Sequence, residues 1–223
     1  MGKIVIVPTP LGNLEDITLR ALRVLKESDL ILAEDTRKSG ILLKHYGISV
    51  KVTAYHQHNE HTRTAALLDQ MGEDDVYALV TDAGTPGISD PGFMLVREAI
   101  GRGIEVECLP GAVAFIPALV GSGLPCDRFH FEGFLPHKKG RMTRIAALAD
   151  YPFTVVFYES PHRLVKTLQQ LGEGFGPDRQ AVVARELTKI HEEFTRGTLQ
   201  DLAYDYGSRE VKGEIVIIVA GKA

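Results

Sequence analysis

Thr81-Asp-Ala-Gly-Thr-Pro-Gly-Ile-Ser-Asp-Pro-Gly92 lies between the apolar run 76–80 and residues 93–100, whose apolar side chains recur at helical spacing. Three glycines and two prolines therefore fall where a strand ends and a helix begins. Glycine lets the main chain approach a ligand closely, and proline fixes the path on either side. In an open α/β sheet this carboxyl edge is where backbone amides and helix N-termini converge on ligands. So dense a run of special backbone positions predicts a ligand loop rather than a plain connection.

Two similar loops flank it in the sequence. Residues 3–7 read as a short buried strand, and Pro8-Thr-Pro-Leu-Gly-Asn13 turns out of it. A helix is expected over 16–27, with Asp16 as N-cap and Ile17, Ala21, Val24 and Leu25 on one face. Leu109-Pro-Gly-Ala-Val113 follows a strand at 104–108. None of the three contains Gly-x-x-x-x-Gly-Lys-Ser/Thr or Gly-x-Gly-x-x-Gly, which weakens nucleotide hydrolysis and ordinary dinucleotide binding as functions.

Strand and helix alternate through the first half, with strands at 3–7, 29–34, 52–55, 76–80 and 104–108. Helices are expected near 16–27, 37–46, 60–71, 93–101 and 112–121. This alternation predicts a mostly parallel sheet with helices on both faces. Gly121-Ser-Gly-Leu-Pro125 interrupts the pattern and marks a boundary, giving domains 1–120 and 121–223. The second half has strands at 129–133, 153–158, 180–185, 193–197 and 213–220, with helices near 141–149 and 161–171. Its closely spaced strands predict a mixed sheet. The fold class is thus α/β, in two α/β domains, with a ligand cleft expected between them.

The bulk numbers narrow the class. At 223 residues, 44% hydrophobic and 24% charged, the chain has the composition of a soluble globular protein. Cys108 and Cys126 form no close-spaced metal or redox motif. A strand beginning within three residues of the start predicts no signal peptide, and no apolar run approaches the roughly 20 residues that span a bilayer. A cytoplasmic protein without membrane attachment is expected. The formal net charge of −4 argues against broad nucleic-acid binding, although His137-Lys-Lys-Gly-Arg-Met-Thr-Arg144 holds Lys138, Lys139, Arg141 and Arg144 and no acid. That patch reads equally as a solvated helix start or as a phosphate contact.

Charged clusters sit beside three strand ends: Ala33-Glu-Asp-Thr-Arg37, Phe157-Tyr-Glu-Ser-Pro-His-Arg163 and Ala184-Arg-Glu-Leu-Thr-Lys189. Any one of them could merely cap a helix; three at one edge suggest a polar site. His56-Gln-His-Asn-Glu-His61 matches no common zinc spacing, so no metal is expected and a polar, substrate-facing loop or helix entry is the better reading. Gly-x-Ser-x-Gly is absent, which favours a positioning mechanism over covalent catalysis.

Taken in order, Val7-Pro-Thr-Pro-Leu-Gly-Asn-Leu-Glu-Asp-Ile-Thr18, Ala33–Arg37, His58-Asn-Glu60, Thr81–Gly92, Gly123-Leu-Pro125, Glu132-Gly-Phe-Leu-Pro136, Phe157–Ser160 with His162-Arg163, Ala184-Arg-Glu-Leu-Thr188 and Lys212-Gly-Glu214 run through nearly the whole chain. The series resembles the bacterial 16S rRNA (cytidine-2′-O)-methyltransferases, a branch of the tetrapyrrole (precorrin) methylase superfamily. The resemblance implies S-adenosyl-L-methionine as methyl donor, 16S rRNA of the small ribosomal subunit as substrate, a cytidine ribose of the decoding centre as acceptor, and a homodimer. It implies a donor site built from Pro10, Leu11, Gly12, Asn13, Asp82, Gly84, Thr85, Pro86, Ile88, Gly111, Ala112, Val113, Ala114, Phe157, Tyr158, Ala184 and Gly213. Two sister readings are a tetrapyrrole C-methyltransferase and a donor-binding protein without turnover.

The sequence departs from the wider superfamily at Gly84-Thr-Pro86, where Gly-Asp-Pro is usual; Thr85 cannot hold a donor with a carboxylate. Many relatives also carry a further C-terminal segment, so surfaces such as 137–144 are expected to recruit RNA here. Transfer to a 2′-hydroxyl needs alignment and removal of a poorly acidic proton. The expected catalytic candidates are Glu159 and Arg185, which lie beside donor segments, with Glu34, Asp35 and Glu186. Asp82 is a further candidate base. Arg37, Lys138, Lys139, Arg141, Arg144, Arg163 and Lys189 are the candidate phosphate contacts.

Overall fold

The computed structural model of the chain describes residues 2–222. Alternating apolar runs and helical stripes fold into two units, divided between Val113 and Ala114.

In the first unit, five strands alternate with helices: β1 (Lys3–Ile6), α1 (Leu19–Glu27), β2 (Leu30–Ala33), α2 (Thr36–His45), β3 (Val52–Ala54), α3 (Glu60–Asp69), β4 (Val76–Val80), α4 (Phe93–Gly101) and β5 (Glu105–Cys108). All pair in parallel, in the order β3-β2-β4-β1-β5. Side chains alternate across a strand, so the central strands β2, β4 and β1 each supply two cores. Val5, Ile31, Ala33, Ala78 and Val80 pack under Ala21, Val24 and Leu25 of α1 and Leu43 of α2. Ile4, Ile6, Leu30, Leu32, Tyr77 and Leu79 face Leu67 and Leu68 of α3 and Leu95 and Ala99 of α4. Strands buried on both faces explain why these runs are apolar without alternation.

The second unit comprises α5 (Phe115–Ser122), β6 (Phe129–Phe134), α6 (Arg141–Ala149), β7 (Thr154–Glu159), α7 (Leu164–Phe175), β8 (Gln180–Arg185), β9 (Glu193–Thr198), α8 (Leu199–Gly207) and β10 (Ile215–Val219). Its sheet has the order β6-β7-β10-β8-β9, with only β6 and β7 parallel. The mixed sheet expected from strand spacing is therefore present. Val155, Phe157, Val183, Ile215 and Ile217 meet Ile145, Leu168, Leu171, Leu202 and Tyr206 of the three helices α6, α7 and α8. Val156, Val182, Val216 and Ile218 on the opposite face meet Ala118 and Leu119 of α5.

Three local readings are corrected. Thr18, not Asp16, caps α1: its Oγ1 accepts the Ala21 N–H at 3.0 Å, and residues 14–16 form a separate 3-10 turn. Helix α8 has no counterpart in the sequence reading because β9 runs into it with no turn residue between them. Its start is a capping box, in which Thr198 and Asp201 bond each other's backbone N–H. Finally, α5 packs on the second sheet, so the glycine-rich stretch 121–125 lies inside the second unit rather than before it. Helix C-termini favour glycine as strongly as linkers do, and Gly123 ends α5 at φ +80°. Leu119→Ala is expected to destabilise the protein by about 2–5 kcal/mol, read as a lowered urea midpoint; no change would contradict this packing of α5.

Candidate ligand site at the carboxyl edge of the first sheet

The connections leaving β1 and β4, which are neighbours in the sheet, carry helices to opposite faces: α1 to one core and α4 to the other. The carboxyl ends of such a pair form the crevice where open α/β sheets bind ligands. Here the two loops are tied together. Thr9 and Gly84 exchange backbone hydrogen bonds of 2.8 and 2.9 Å, and Thr9 Oγ1 donates to the Thr81 carbonyl at 3.1 Å. Thr85 Oγ1 donates to the Ala112 carbonyl at 2.8 Å, which adds the third loop. Pro10, Leu11, Gly12, Gly84, Thr85, Gly111, Ala112 and Val113 are thus brought to one edge. Gly84 has φ +86°, a conformation that other residues hold only under strain. At Gly111 a Cβ would overlap the Pro8 ring, so the third loop can approach the first this closely only with glycine there.

The acidic cluster after β2 belongs to the same edge. Thr81 Oγ1 donates to Glu34 Oε2 at 2.6 Å. Asp35 caps α2 by accepting the Arg37 N–H, and its carboxylate also takes the Arg37 guanidinium through bonds of 3.1 and 2.8 Å. That guanidinium holds the Asp35 carboxyl well below the usual carboxylate range. Asp82 accepts the Asp35 N–H at 3.1 Å and the Lys38 ammonium at 2.7 Å, and the latter bond raises the Lys38 pKa. Asp35 and Asp82 are therefore each neutralised by a cation, whereas Glu34 is held by a hydroxyl.

A pocket of about 190 Å³ opens among Pro10, Leu11, Gly12, Leu14, Lys38, Ser39, Ile41, Leu42, Thr81 and Asp82. Most of this lining is apolar, with a few polar groups, the usual make-up of a small-molecule site. Ser39 is 6% exposed, and its Oγ has no hydrogen-bond partner. Leaving a buried hydroxyl unpaired costs roughly 1–3 kcal/mol. The sequence reading passed over Ser39, Leu14, Ile41 and Leu42; the signal available was a serine on the inner side of a helix beginning at an acidic strand end.

In the neighbouring loop after β3, Asn59 Oδ1 accepts the His56 N–H at 2.9 Å, which turns its amide nitrogen toward the Ala54 carbonyl and His56 Nε2, each at 3.2 Å. His56 and His58 meet edge to face.

Comparison with known proteins now decides the family. The sequence profile of the tetrapyrrole (corrin/porphyrin) methylases matches residues 3–203. The chain belongs to the tetrapyrrole methylase family. It is 49% identical over 222 residues to a protein of Synechocystis named ribosomal RNA small subunit methyltransferase I, covering 99% of this chain and 80% of that one. A protein of the same name from Thermotoga maritima is 45% identical over 222 residues, the whole of both chains. The crystal structure of uroporphyrin-III C-methyltransferase from Thermus thermophilus, complexed with S-adenosyl homocysteine, shares the fold with a TM-score of 0.68. At 22% identity it covers 99% of this chain and 97% of that one.

In this tetrapyrrole methylase chain, the second unit places its candidate residues differently from the sequence expectation. Glu159 is 3% exposed. Its carboxylate accepts Thr167 Oγ1 at 2.6 Å, the Ser160 N–H at 2.7 Å and Arg141 Nη2 at 3.3 Å, and forms a 2.7 Å ion pair with Arg163. Arg141 is itself 5% exposed and also donates to Gln170 and the Pro136 carbonyl, so it is no part of a basic surface. Position 141 opens α6 on the side that faces α7, which the run of basic residues concealed. Arg144 is held by both oxygens of Glu132 at 2.6 and 2.5 Å, while Lys138 and Lys139 remain exposed.

The last strand-end cluster is also internally paired. Arg185 donates to Glu193 and to the Lys212 carbonyl, and Lys189 bridges Glu186 and Glu214 at 2.8 and 3.1 Å. Burial opposes ionisation of Glu186, but the bonds from Lys189 and the Glu214 N–H outweigh it and lower its pKa. Phe157 and Ala184 are wholly buried in the two cores, and Gly213 faces the Glu186 side chain. Glu159→Gln should leave Arg141 and Arg163 without their counter-charge and cost about 3–5 kcal/mol. Thermal or urea unfolding measures this, and wild-type stability would show that the cluster is dispensable.

Proposed function

We propose that the chain transfers a methyl group from S-adenosyl-L-methionine to ribosomal RNA of the small subunit, and specifically to the ribose 2′-oxygen of a cytidine in the 16S decoding centre. The observation that carries the rRNA part of this reading is identity of 45–49% across the whole fold to proteins named ribosomal RNA small subunit methyltransferase I, and the cytidine 2′-oxygen follows the sequence resemblance. The three pinned loops of the first unit support a donor site. Their exposed glycines, Gly12, Gly87 and Gly111, leave backbone groups accessible where an adenosine and an amino-acid moiety need hydrogen bonds without bulky walls. Pro10–Asn13, Gly84–Ile88 and Gly111–Val113 are the residues that would hold the donor.

The bound donor supplies a methyl group already activated by a sulfonium charge. The protein's share is to align the ribose oxygen and accept its proton. Glu34 suits that second task among the candidates, because the other acids of this edge are tied to Arg37 and Lys38. Thr81 holds one Glu34 oxygen and so fixes the direction of the carboxylate. In the second unit, Glu159 serves as a buried charge hub, and Arg185 and Glu186 as structural pairs. Exposed Arg37, Lys138 and Lys139 are the phosphate contacts, and the target nucleotide is extruded to reach the pocket. The chain acts in the cytoplasm as a homodimer.

The test is transfer of labelled methyl from S-adenosyl-L-methionine to small subunits isolated from cells lacking this gene, followed by nucleoside analysis. One 2′-O-methylated cytidine is the expected product; methylation of a base, or of no RNA, would contradict the reading. Glu34→Gln should lower kcat by about 10²–10⁴ with donor affinity retained, and Thr85→Val should weaken donor binding about three- to tenfold by loosening the third loop. Calorimetry with S-adenosyl homocysteine separates the two effects.

A further inference from the structure

The pocket between α2 and the β1 loop shares only part of its wall with the donor loops. Pro10, Leu11 and Gly12 line it, but none of Gly84–Ile88 or Gly111–Val113 does. The opposite wall comes from α2, in Lys38, Ser39, Ile41 and Leu42, with Thr9, Leu14, Thr81 and Asp82 completing the lining. We propose that this pocket is the acceptor-nucleoside subsite, in which the extruded cytosine lies against Leu14 and Ile41 and accepts a hydrogen bond from the Ser39 hydroxyl. The inference rests on the reading above that the chain methylates rRNA.

Three observations point to a flat ligand with a polar edge. Ile41 is 69% exposed although it lines a concavity, which leaves an apolar surface available for a ring to cover. Ser39 Oγ is buried and unpaired at the same wall. A serine hydroxyl has three staggered positions and a freely rotating O–H, so this donor is able to serve an acceptor that enters the pocket. Cytosine presents such acceptors at O2 and N3. The third observation is the charge at the mouth. Lys38, with 62% of its side chain exposed, and Arg37, with 89% exposed, open α2 beside the pocket. Each is already balanced by a carboxylate, so the mouth can meet a flanking phosphate without drawing anions in unselectively.

The arrangement also separates the two substrates. Donor and acceptor meet at Pro10–Gly12 and at the start of the β4 loop, where Thr81 and Asp82 line the pocket, and the Glu34 carboxylate is bonded to Thr81. The base proposed for the 2′-hydroxyl thus adjoins the subsite proposed for its nucleoside.

The experiment uses the full-length protein, S-adenosyl homocysteine binding by calorimetry, and steady-state methylation of small subunits. Ser39→Ala and, on the exposed rim, Ile41→Ala should each raise the KM for the subunit about three- to tenfold, with homocysteine-adduct affinity unchanged. Ser39→Thr, which keeps the hydroxyl, should restore the wild-type KM. Unchanged KM in both alanine variants would overturn the proposal. So would a parallel loss of S-adenosyl homocysteine affinity, which would give the pocket to the donor. Wild-type protein that binds S-adenosyl homocysteine but methylates no subunit would instead overturn the rRNA reading on which the proposal stands.

Discussion

Two backbone hydrogen bonds between Thr9 and Gly84 hold the edge on which everything else in the first unit depends. The loops they join leave adjacent strands toward opposite faces, and the bridge, with the Thr9 hydroxyl bond to the Thr81 carbonyl, ties them beyond the end of the ladder. The bridge lies directly before Pro10–Gly12, and the Thr85 bond to Ala112 extends the tie to the third loop. Gly84 and Gly111 are required by this geometry, one for its positive φ and the other for the approach of Pro8.

Charge is managed in two distinct ways in the two units. At the exposed edge of the first sheet, acids and bases pair in reach of solvent, where such pairs contribute little to stability and can rearrange around a ligand. In the second unit, Glu159 and Arg141 are both withdrawn from water, so each must keep its partners. Thr167, Ser160, Arg163, Gln170 and the Pro136 carbonyl complete their hydrogen bonds. The cluster links the end of β7 to α6 and α7. Removing either partner would leave the other's charge buried without compensation, which makes the cluster a fixed point of the fold.

The contrast explains which candidate residues were readable. Residues 81–92 and 8–13 announce themselves because backbone conformation is written in glycine and proline. Glu159 and Arg141 look like site residues in a linear reading because charge at a strand end or in a basic run carries no mark of burial. Ser39 shows the reverse: an ordinary helical serine becomes notable only once its hydroxyl is found buried and unpaired beside a pocket. Helix α8 escaped notice because its cap, Thr198, is also the last residue of a strand.

By itself the sequence determined the order of strands and helices apart from α8, the parallel character of the first sheet and the glycine- and proline-dense loops at its carboxyl edge, since each depends on local periodicity or on backbone freedom. Tertiary structure alone decided which side of Val113 and Ala114 each helix joins, which carboxylates lose their freedom to a cation, and where an unpaired hydroxyl lines a pocket. Those properties belong to pairs of residues distant in the chain, and burial and pairing exist only after the elements pack.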